Sequence, residues 1–369
     1  MQERGVRVDP DRWAAAVAAL RDEGITATLE AADAATGEAA LHRIVTLDTY
    51  AEAIHAQAAL DPQQRVRATW YPAGTWTGRI TARQPPLQSI TKQGLLRAAV
   101  VPAPGCSFVV GDWSQSQLRI AFGLSGDRAG AAACAPGRDL HAEIGEAVAK
   151  GHPQARALGK LLNFAILYLA GPDTLVEGAA ERGIELSRST ATSLIRRLEG
   201  TYPALCAWRR AHAGREAFPV TWGGQVRRTV SLPPDAFDSA TGAPRLPAVL
   251  AGIMQVAEVE ALHYVLEHTE ERLGRALGYR PVLLVHDEVV WEGPTATAER
   301  ARLAAEALML EALAGVTGGV PAAATVKVRE CWAADRAVGY TTATSTPCPA
   351  PSNPVTVELR RVETDNNPG

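Results

Sequence analysis

An α+β chain built around a small antiparallel sheet is what this sequence predicts, and three observations carry the prediction. The run Leu283-Leu284-Val285-His286-Asp287-Glu288-Val289-Val290 sets two carboxylates side by side between apolar segments that read as the arms of a hairpin over Val282–Glu292. Upstream, Phe108-Val109-Val110-Gly111-Asp112 is a second short apolar run that delivers one Asp to a strand end. Between these runs lie long stretches of helical character. A pair of strands could bring Asp112 and Asp287 together, and like charges held that close need a cation. Two divalent ions about 3.5–4 Å apart are the usual solution where a phosphoryl group is transferred.

The elements follow in order. Asp9-Pro10 opens a helix over Asp11–Asp22, within an Ala-rich amphipathic stretch that runs to Ala59 and reads as a small helical subdomain. From Trp70 to Pro104, Pro, Gly, Thr and Gln punctuate short apolar runs, giving loop and strand that lead into the Asp112 strand. Ala142–Leu198 is predominantly helical. Trp222-Gly223-Gly224 and Leu232-Pro233-Pro234 bracket a turn-rich excursion, and Pro247–His268 is a long helix. After the hairpin come a helix over Thr295–Leu313 and a strand at Thr325–Val328. Beyond Gly339 the Thr, Pro, Ser and Asn of the tail leave little to bury, and disorder is expected.

At 369 residues the chain can hold two or three compact units, each with its own core. A net charge of -3 and a pI near 6.3 neither support nor exclude a nucleic-acid partner, so such a surface must be a local patch. Five Cys are scattered without a Cys-x-x-Cys spacing, which argues against a zinc site or a disulfide framework and fits a reducing cytoplasm. No segment approaches the roughly 20 apolar residues of a membrane helix, and the N-terminus lacks a signal-peptide core. A cytoplasmic protein without a membrane partner is expected.

In Arg156-Ala-Leu-Gly-Lys160-Leu-Leu-Asn163-Phe164-Ala-Ile-Leu-Tyr168, the residues Arg156, Lys160, Phe164 and Tyr168 recur every four positions and form one slowly drifting stripe on a helix. Only four Lys occur in the chain, which gives Lys160 weight. Two cations near the N-terminal half can meet phosphate oxygens with the helix dipole behind them, while Phe164 and Tyr168 offer flat faces to a base. An amphipathic helix with two exposed cations and two buried aromatics is common by itself. The acidic pair tips the reading toward a nucleotide platform.

These residues resemble, in order, the family A DNA polymerases, the group of bacterial DNA polymerase I. Asp112-Trp-Ser-Gln-Ser-Gln-Leu-Arg119 is similar to the family's first metal-binding motif, Arg156 to Tyr168 to its fingers helix, and Val285-His-Asp-Glu288 to its third motif. Thr77-Gly78-Arg79-Ile80, Asp139-Leu-His141, Thr201-Tyr-Pro203, Met254-Gln255 and Glu330-Cys-Trp332 are weaker echoes in the expected places. The resemblance covers about residues 70 to 338 and touches Arg4 to Asp9. It implies a right-hand fold with an antiparallel-sheet palm, helical fingers and a reduced helical thumb. The divisions would be a thumb segment at 1–69, palm at 70–126 and 246–338, fingers at 127–245 and the tail at 339–369.

The resemblance further implies that Asp112 and Asp287 bind two Mg²⁺ ions bridging a primer 3′-hydroxyl and an incoming deoxynucleoside triphosphate. Glu288 would be an auxiliary near the metals. Lys160, Arg156 and His141 would hold the triphosphate, Phe164 would pack on sugar and base, and Tyr168 would guard the templating position, with Gln115 and Gln117 also at the nucleotide. Arg79 and Gln255 would read the minor groove of primer-template DNA, where acceptors shared by all correct pairs test geometry rather than sequence; His286 would also face the DNA.

The chain departs from the family in places. Gln117 stands where the family has a Glu whose stem excludes a ribose 2′-hydroxyl and whose carboxylate accepts a hydrogen bond from the fingers Tyr; Gln keeps the bulk and loses the charge, so weaker sugar discrimination is expected. Ser116 and Trp113 replace Ile and Tyr, Leu169 replaces a Gly after the fingers helix, and Gln225 interrupts a Gly-Arg-Arg element. Between Asp9 and Thr77 there is room for only a fraction of a thumb, which predicts low processivity. No exonuclease domain is expected, so proofreading or a clamp would come from a separate protein. Two other readings compete: a non-catalytic primer-template binding module, and a two-metal nuclease, which leaves the nucleotide helix unexplained.

Overall fold

The computed structural model describes residues 4–20, 51–90 and 95–333. The tail at 339–369 and the middle of the expected thumb segment lie outside the described residues. The fold is α+β, as expected. Its centre is a four-stranded antiparallel sheet in the order β10-β5-β9-β8, formed by β5 (Cys106–Trp113), β8 (Arg280–Val285), β9 (Glu288–Pro294) and β10 (Ala324–Arg329). Strand β5 is buried along nearly its whole length, which is why its apolar run is almost continuous.

The two faces of the sheet are sorted by the period of two. Val109 and Trp113, with Val289, Trp291 and Leu284 of the neighbouring strands, pack into the large core under α9 (Leu246–Thr269) and α10 (Ala298–Ala314). Gly111 lies on this face because a side chain there would meet the Met309 sulfur at 2.3 Å. Phe108, Val110, Leu283, Val285 and Val290 point to the other face, where Val6, Val8, Trp13, Ile54 and Val66 of the N-terminal segment cover them. In that segment β1 (Val6–Arg7) pairs with β2 (Arg65–Val66), α1 spans Pro10–Leu20, and residues 51–60 are helical. Its described part therefore backs the sheet.

The pair β3 (Thr69–Tyr71) and β4 (Thr81–Arg83) precedes the sheet. After β5 the chain runs through α2 (Ser116–Ser125), α3 (Arg128–Ala133), α4 (Leu140–Val148), α5 (Ala155–Tyr168), α6 (Pro172–Ala180), α7 (Arg188–Thr201) and α8 (Pro203–Ala211). The expected turn-rich excursion is a β-hairpin, β6 (Ala217–Trp222) and β7 (Gln225–Ser231), turning on Gly223 and Gly224, both at positive φ.

Two expectations are corrected. Helix α9, continued by a π turn to Leu277, is long and apolar enough to cross a membrane, contrary to the absence inferred from the sequence; 61% of its most apolar window is buried inside the protein, as suits a core helix. Cys134, Cys206 and Cys331 are free thiols, but Cys106 is disulfide-bonded, which the scattered spacing did not suggest.

Candidate active site

The register of the sheet assembles the acidic site. Asp112 is the cross-strand partner of Glu288, and Val285 that of Glu288 on the other side, so His286 and Asp287 form the two-residue tip of the β8–β9 hairpin. Asp287 thus follows a residue at positive φ and sits one position from the residue opposite Asp112. Directly opposed antiparallel residues have Cα atoms about 4.5–5.5 Å apart. Both Asp residues are half-buried and His286 is exposed. A His at φ 58 is held in a left-handed conformation that costs a side-chain-bearing residue roughly 1–2 kcal/mol, a strain that the tight turn imposes. Beyond Asp112, the motif's Arg119 is 2% exposed and donates to the carbonyls of Ser114 at 2.8 Å and Cys134 at 2.7 Å, fixing the strand-to-helix turn.

Among the described residues no group of three or more His, Cys, Asp and Glu forms a metal cage. The candidate donor set is the Asp112 and Asp287 pair. It suits Mg²⁺, which is held by one or two carboxylates, its own waters and substrate phosphates rather than by an all-protein cage.

Glu288 is 7% exposed, and its Oε1 accepts from Arg97 Nη1 at 3.0 Å and from Trp332 Nε1 at 2.7 Å. The Arg97 guanidinium stacks 3.7 Å from the Trp332 ring centroid and also donates to the Ile90 carbonyl. Burial lowers the Arg97 pKa, and the charges of Glu288 and Asp112 raise it. A guanidinium stays charged regardless, so a buried cation sits against Glu288 and within reach of the Asp112 charge. These hydrogen bonds hold the Glu288 carboxylate in place behind the acidic turn. Arg97 carries no sequence signal beyond being a lone cation in the apolar run Leu95 to Val101.

Helix α5 presents the expected stripe. Leu158, Leu162, Ala165, Ile166 and Leu167 face inward, while Arg156 and Lys160 are exposed and Phe164 and Tyr168 half-buried. Lys160 Nζ lies 5.6 Å from the Phe164 centroid, and the Phe164 and Tyr168 rings stack at 5.8 Å and 12°. Helices α4 and α5 touch backbone to backbone: a side chain on Gly159 would meet the His141 carbonyl at 1.8 Å, and one on Gly145 the Ala155 carbonyl at 1.9 Å. That contact sets His141 beside the cations. Asp139 caps α4 and accepts from Arg156 Nε at 2.7 Å and Gln115 Nε2 at 2.9 Å. Burial opposes the Asp139 charge, but the Arg156 hydrogen bond and the Ala142 N–H outweigh it and leave the pKa lowered.

His141 is buried, and its pKa falls to about 4, first through burial and then through the charges of Arg156 and Lys160. Asn163 Nδ2 stands 3.0 Å from His141 Nδ1. An amide nitrogen can only donate, so Nδ1 accepts and Nε2 keeps the proton, ready to donate to an anion. Between about pH 4 and 6.5 the unfolded chain binds a proton at His141 that the folded chain refuses, so stability falls as pH drops through that window. The slope from this group is at most about 1.4 kcal/mol per pH unit. His263, also lowered by burial, adds in the same sense. Urea unfolding at pH 6.5 and 4.5 should show the loss, and His141→Gln should shrink it; an unchanged slope in the variant would contradict the assignment.

At the C-terminal end of α5, Tyr168 donates its hydroxyl proton to Gln117 Oε1. Burial and the charge of Glu258 push the Tyr168 pKa up, so the hydroxyl stays protonated. Gln117 Nε2 donates to Glu258 Oε2 at 3.1 Å, and Arg79 Nη2 reaches the same oxygen at 3.3 Å. Thr77 donates to Gln255 Oε1 at 3.3 Å and Arg79 reaches Glu258, so the β3–β4 segment docks on one face of α9. Leu169 ends α5 at φ 61 and is 38% exposed. Leu169→Gly should remove the left-handed strain and raise stability by up to about 1 kcal/mol; an unchanged or lower melting temperature would count against this.

The acidic residues, the α5 stripe with His141 and Gln115, and the Arg79, Gln255 and Gln117 group thus form three adjoining sets. Sequence reasoning missed Asn163, Arg97 and Glu258. Trp332 stood only inside a weak motif.

Comparison with known proteins follows the same lines. The chain is 28% identical over 263 residues to the thermostable DNA polymerase I of Thermus thermophilus, covering 66% of this chain and 30% of that protein. It is 30% identical over 247 residues to DNA polymerase I of Chloroflexus aurantiacus, covering 62% and 25%. The chain therefore spans about a quarter to a third of the length of these relatives. The POL domain of Pol1 from M. smegmatis, solved in complex with DNA primer-template and dNTP, has the same fold at a TM-score of 0.70 and 18% identity, covering 89% of this chain and 67% of that one. Residues 36–334 match DNA polymerase family A, and with more than half of the chain inside that match, the protein belongs to this family.

Proposed function

We propose that this chain is a template-directed DNA polymerase that adds deoxynucleoside triphosphates to a primer 3′-hydroxyl. The observation that carries the reading is the sheet register that sets Asp112 beside the Asp287 turn, together with the Gln115–Asp139–Arg156 hydrogen bonds that tie the Asp112 motif to the Arg156, Lys160 and His141 group. Asp112 and Asp287 would hold two Mg²⁺ ions, which when bound supply an activated attacking oxygen and a stabilised leaving oxygen. Lys160, Arg156 and the Nε2–H of His141 bind the triphosphate tail and orient the α-phosphate toward the acidic pair. Phe164 and Tyr168 set the plane of the sugar and base. Arg79 and Gln255 meet the minor-groove edge of the nascent pair. Primer-template DNA and a nucleotide are the ligands held by the M. smegmatis domain, which supports the same partners here.

The proposed palm comprises 70–126 and 246–338, the fingers 127–245 and the reduced thumb 1–69. Low processivity belongs to this proposal: in a primer-extension assay with a trap, single encounters should add only a few nucleotides, and long products would remove it. The reading as a whole is tested with purified protein, a primed template, Mg²⁺ and all four deoxynucleotides. Extension supports it; primer shortening points to a nuclease; binding without either points to a non-catalytic module.

A further inference from the structure

Glu258 is a buried carboxylate that the sequence did not single out. It lies on α9, is 7% exposed, and both of its oxygens are engaged: Oε1 accepts from Ser116 Oγ at 2.6 Å, while Oε2 accepts from Gln117 Nε2 at 3.1 Å and Arg79 Nη2 at 3.3 Å. Through Gln117 the network reaches the Tyr168 hydroxyl at the end of α5. One acidic group thereby ties together the β3–β4 segment, the helix after β5 and the nucleotide helix. A carboxylate is the only side chain of this length that offers acceptors to all three donors at once.

We propose that Glu258 is the anionic anchor of the sugar end of the nucleotide site, restoring from α9 the negative charge that Gln117 lacks and so setting how strictly ribose is refused. The inference rests on the polymerase reading, which fixes where the sugar lies. With the triphosphate tail at Lys160 and His141 and the α-phosphate at Asp112 and Asp287, the sugar falls toward Gln117 and Tyr168. Glu258 dictates the orientation of the Gln117 amide: its oxygens accept only, so Nε2 must face Glu258 and Oε1 must face Tyr168. Held at both ends, the Gln117 stem cannot swing away from a 2′-hydroxyl. Ser116, which replaces an apolar residue of the family pattern, gains a role as the donor to Oε1.

The test is a charge-swap cycle read by single-nucleotide insertion of deoxy- and ribonucleotides. Glu258→Gln should lower the ratio of deoxy- to ribonucleotide kcat/KM about tenfold or more and raise KM for the deoxynucleotide. Gln117→Glu alone would place two carboxylates in contact and should impair insertion, whereas Gln117→Glu combined with Glu258→Gln should recover it. Equal discrimination in wild type and Glu258→Gln, or improved discrimination by Gln117→Glu that is indifferent to residue 258, would overturn the proposal. Amide hydrogen exchange over residues 163–168 reads the anchor without catalysis and should quicken in Glu258→Gln. If the wild type extends no primer, the polymerase reading fails by itself, and unchanged exchange would still overturn the anchor.

Discussion

Asp112→Ala and Asp287→Ala should each reduce primer extension by about 10³-fold or more. A divalent ion supplies several kcal/mol of charge stabilisation to phosphoryl transfer, and each 1.36 kcal/mol is a tenfold change in rate. Asp112 lies at the end of a central strand and Asp287 at the tip of a turn, both half-buried, so neither substitution removes core packing. Single-turnover extension should collapse while primer-template affinity and melting temperature hold. Retention of activity within about tenfold in either variant would show that the carboxylates do not hold the reactive metals.

Lys160→Ala should produce the second largest loss, about 10²-fold in kcat/KM for the nucleotide, the range seen when a donor to developing charge is removed from an excluded site. Lys160 forms no salt bridge among the described residues and rests against Phe164, so its charge is available to phosphate. Arg156 is tied to Asp139 at 2.7 Å, and Arg156→Ala should cost less because its partner has shared the charge. Steady-state kinetics on both variants check the order; a larger effect at Arg156 would move the centre of the triphosphate site one turn toward the start of α5.

Much of this arrangement is legible from residue order alone because it rests on local periods. Alternation along Phe108 to Asp112 and along Leu283 to Val290 fixes which side chains share a face, and a two-residue turn fixes the register. A stripe spaced by four survives as a helix face whatever the helix packs against. The partners of buried polar groups obey no such period. Glu258 sits among apolar residues of α9, 141 positions from Gln117, and only the packing of three elements shows that it completes their hydrogen bonds. Arg97 and Trp332 meet Glu288 from 191 and 44 residues away. Asn163 reads as a polar interruption of an apolar helix face until α4 brings His141 to it through the Gly145 and Gly159 contacts. The β6–β7 hairpin is a different case: Gly223-Gly224 is a hairpin turn signal, but the exposed, charged β7 arm masks the alternation that would reveal the strand.

The loss of charge at Gln117 takes on a different meaning in three dimensions. Read along the chain it is a deletion; in the fold the carboxylate stands one side chain further back, on another helix. The Arg79 that the minor-groove reading needs is held by that same carboxylate, so the proposed sugar end and the proposed nascent-pair contact would share one electrostatic centre.

The most direct measurement is a crystal structure with primer-template, Mg²⁺ and a non-hydrolysable deoxynucleotide. Two ions are expected about 3.5–4 Å apart, both within about 2.1 Å of carboxylate oxygens of Asp112 and Asp287, with the triphosphate tail on Lys160. Ions bound elsewhere, with the two carboxylates turned from the nucleotide, would contradict it.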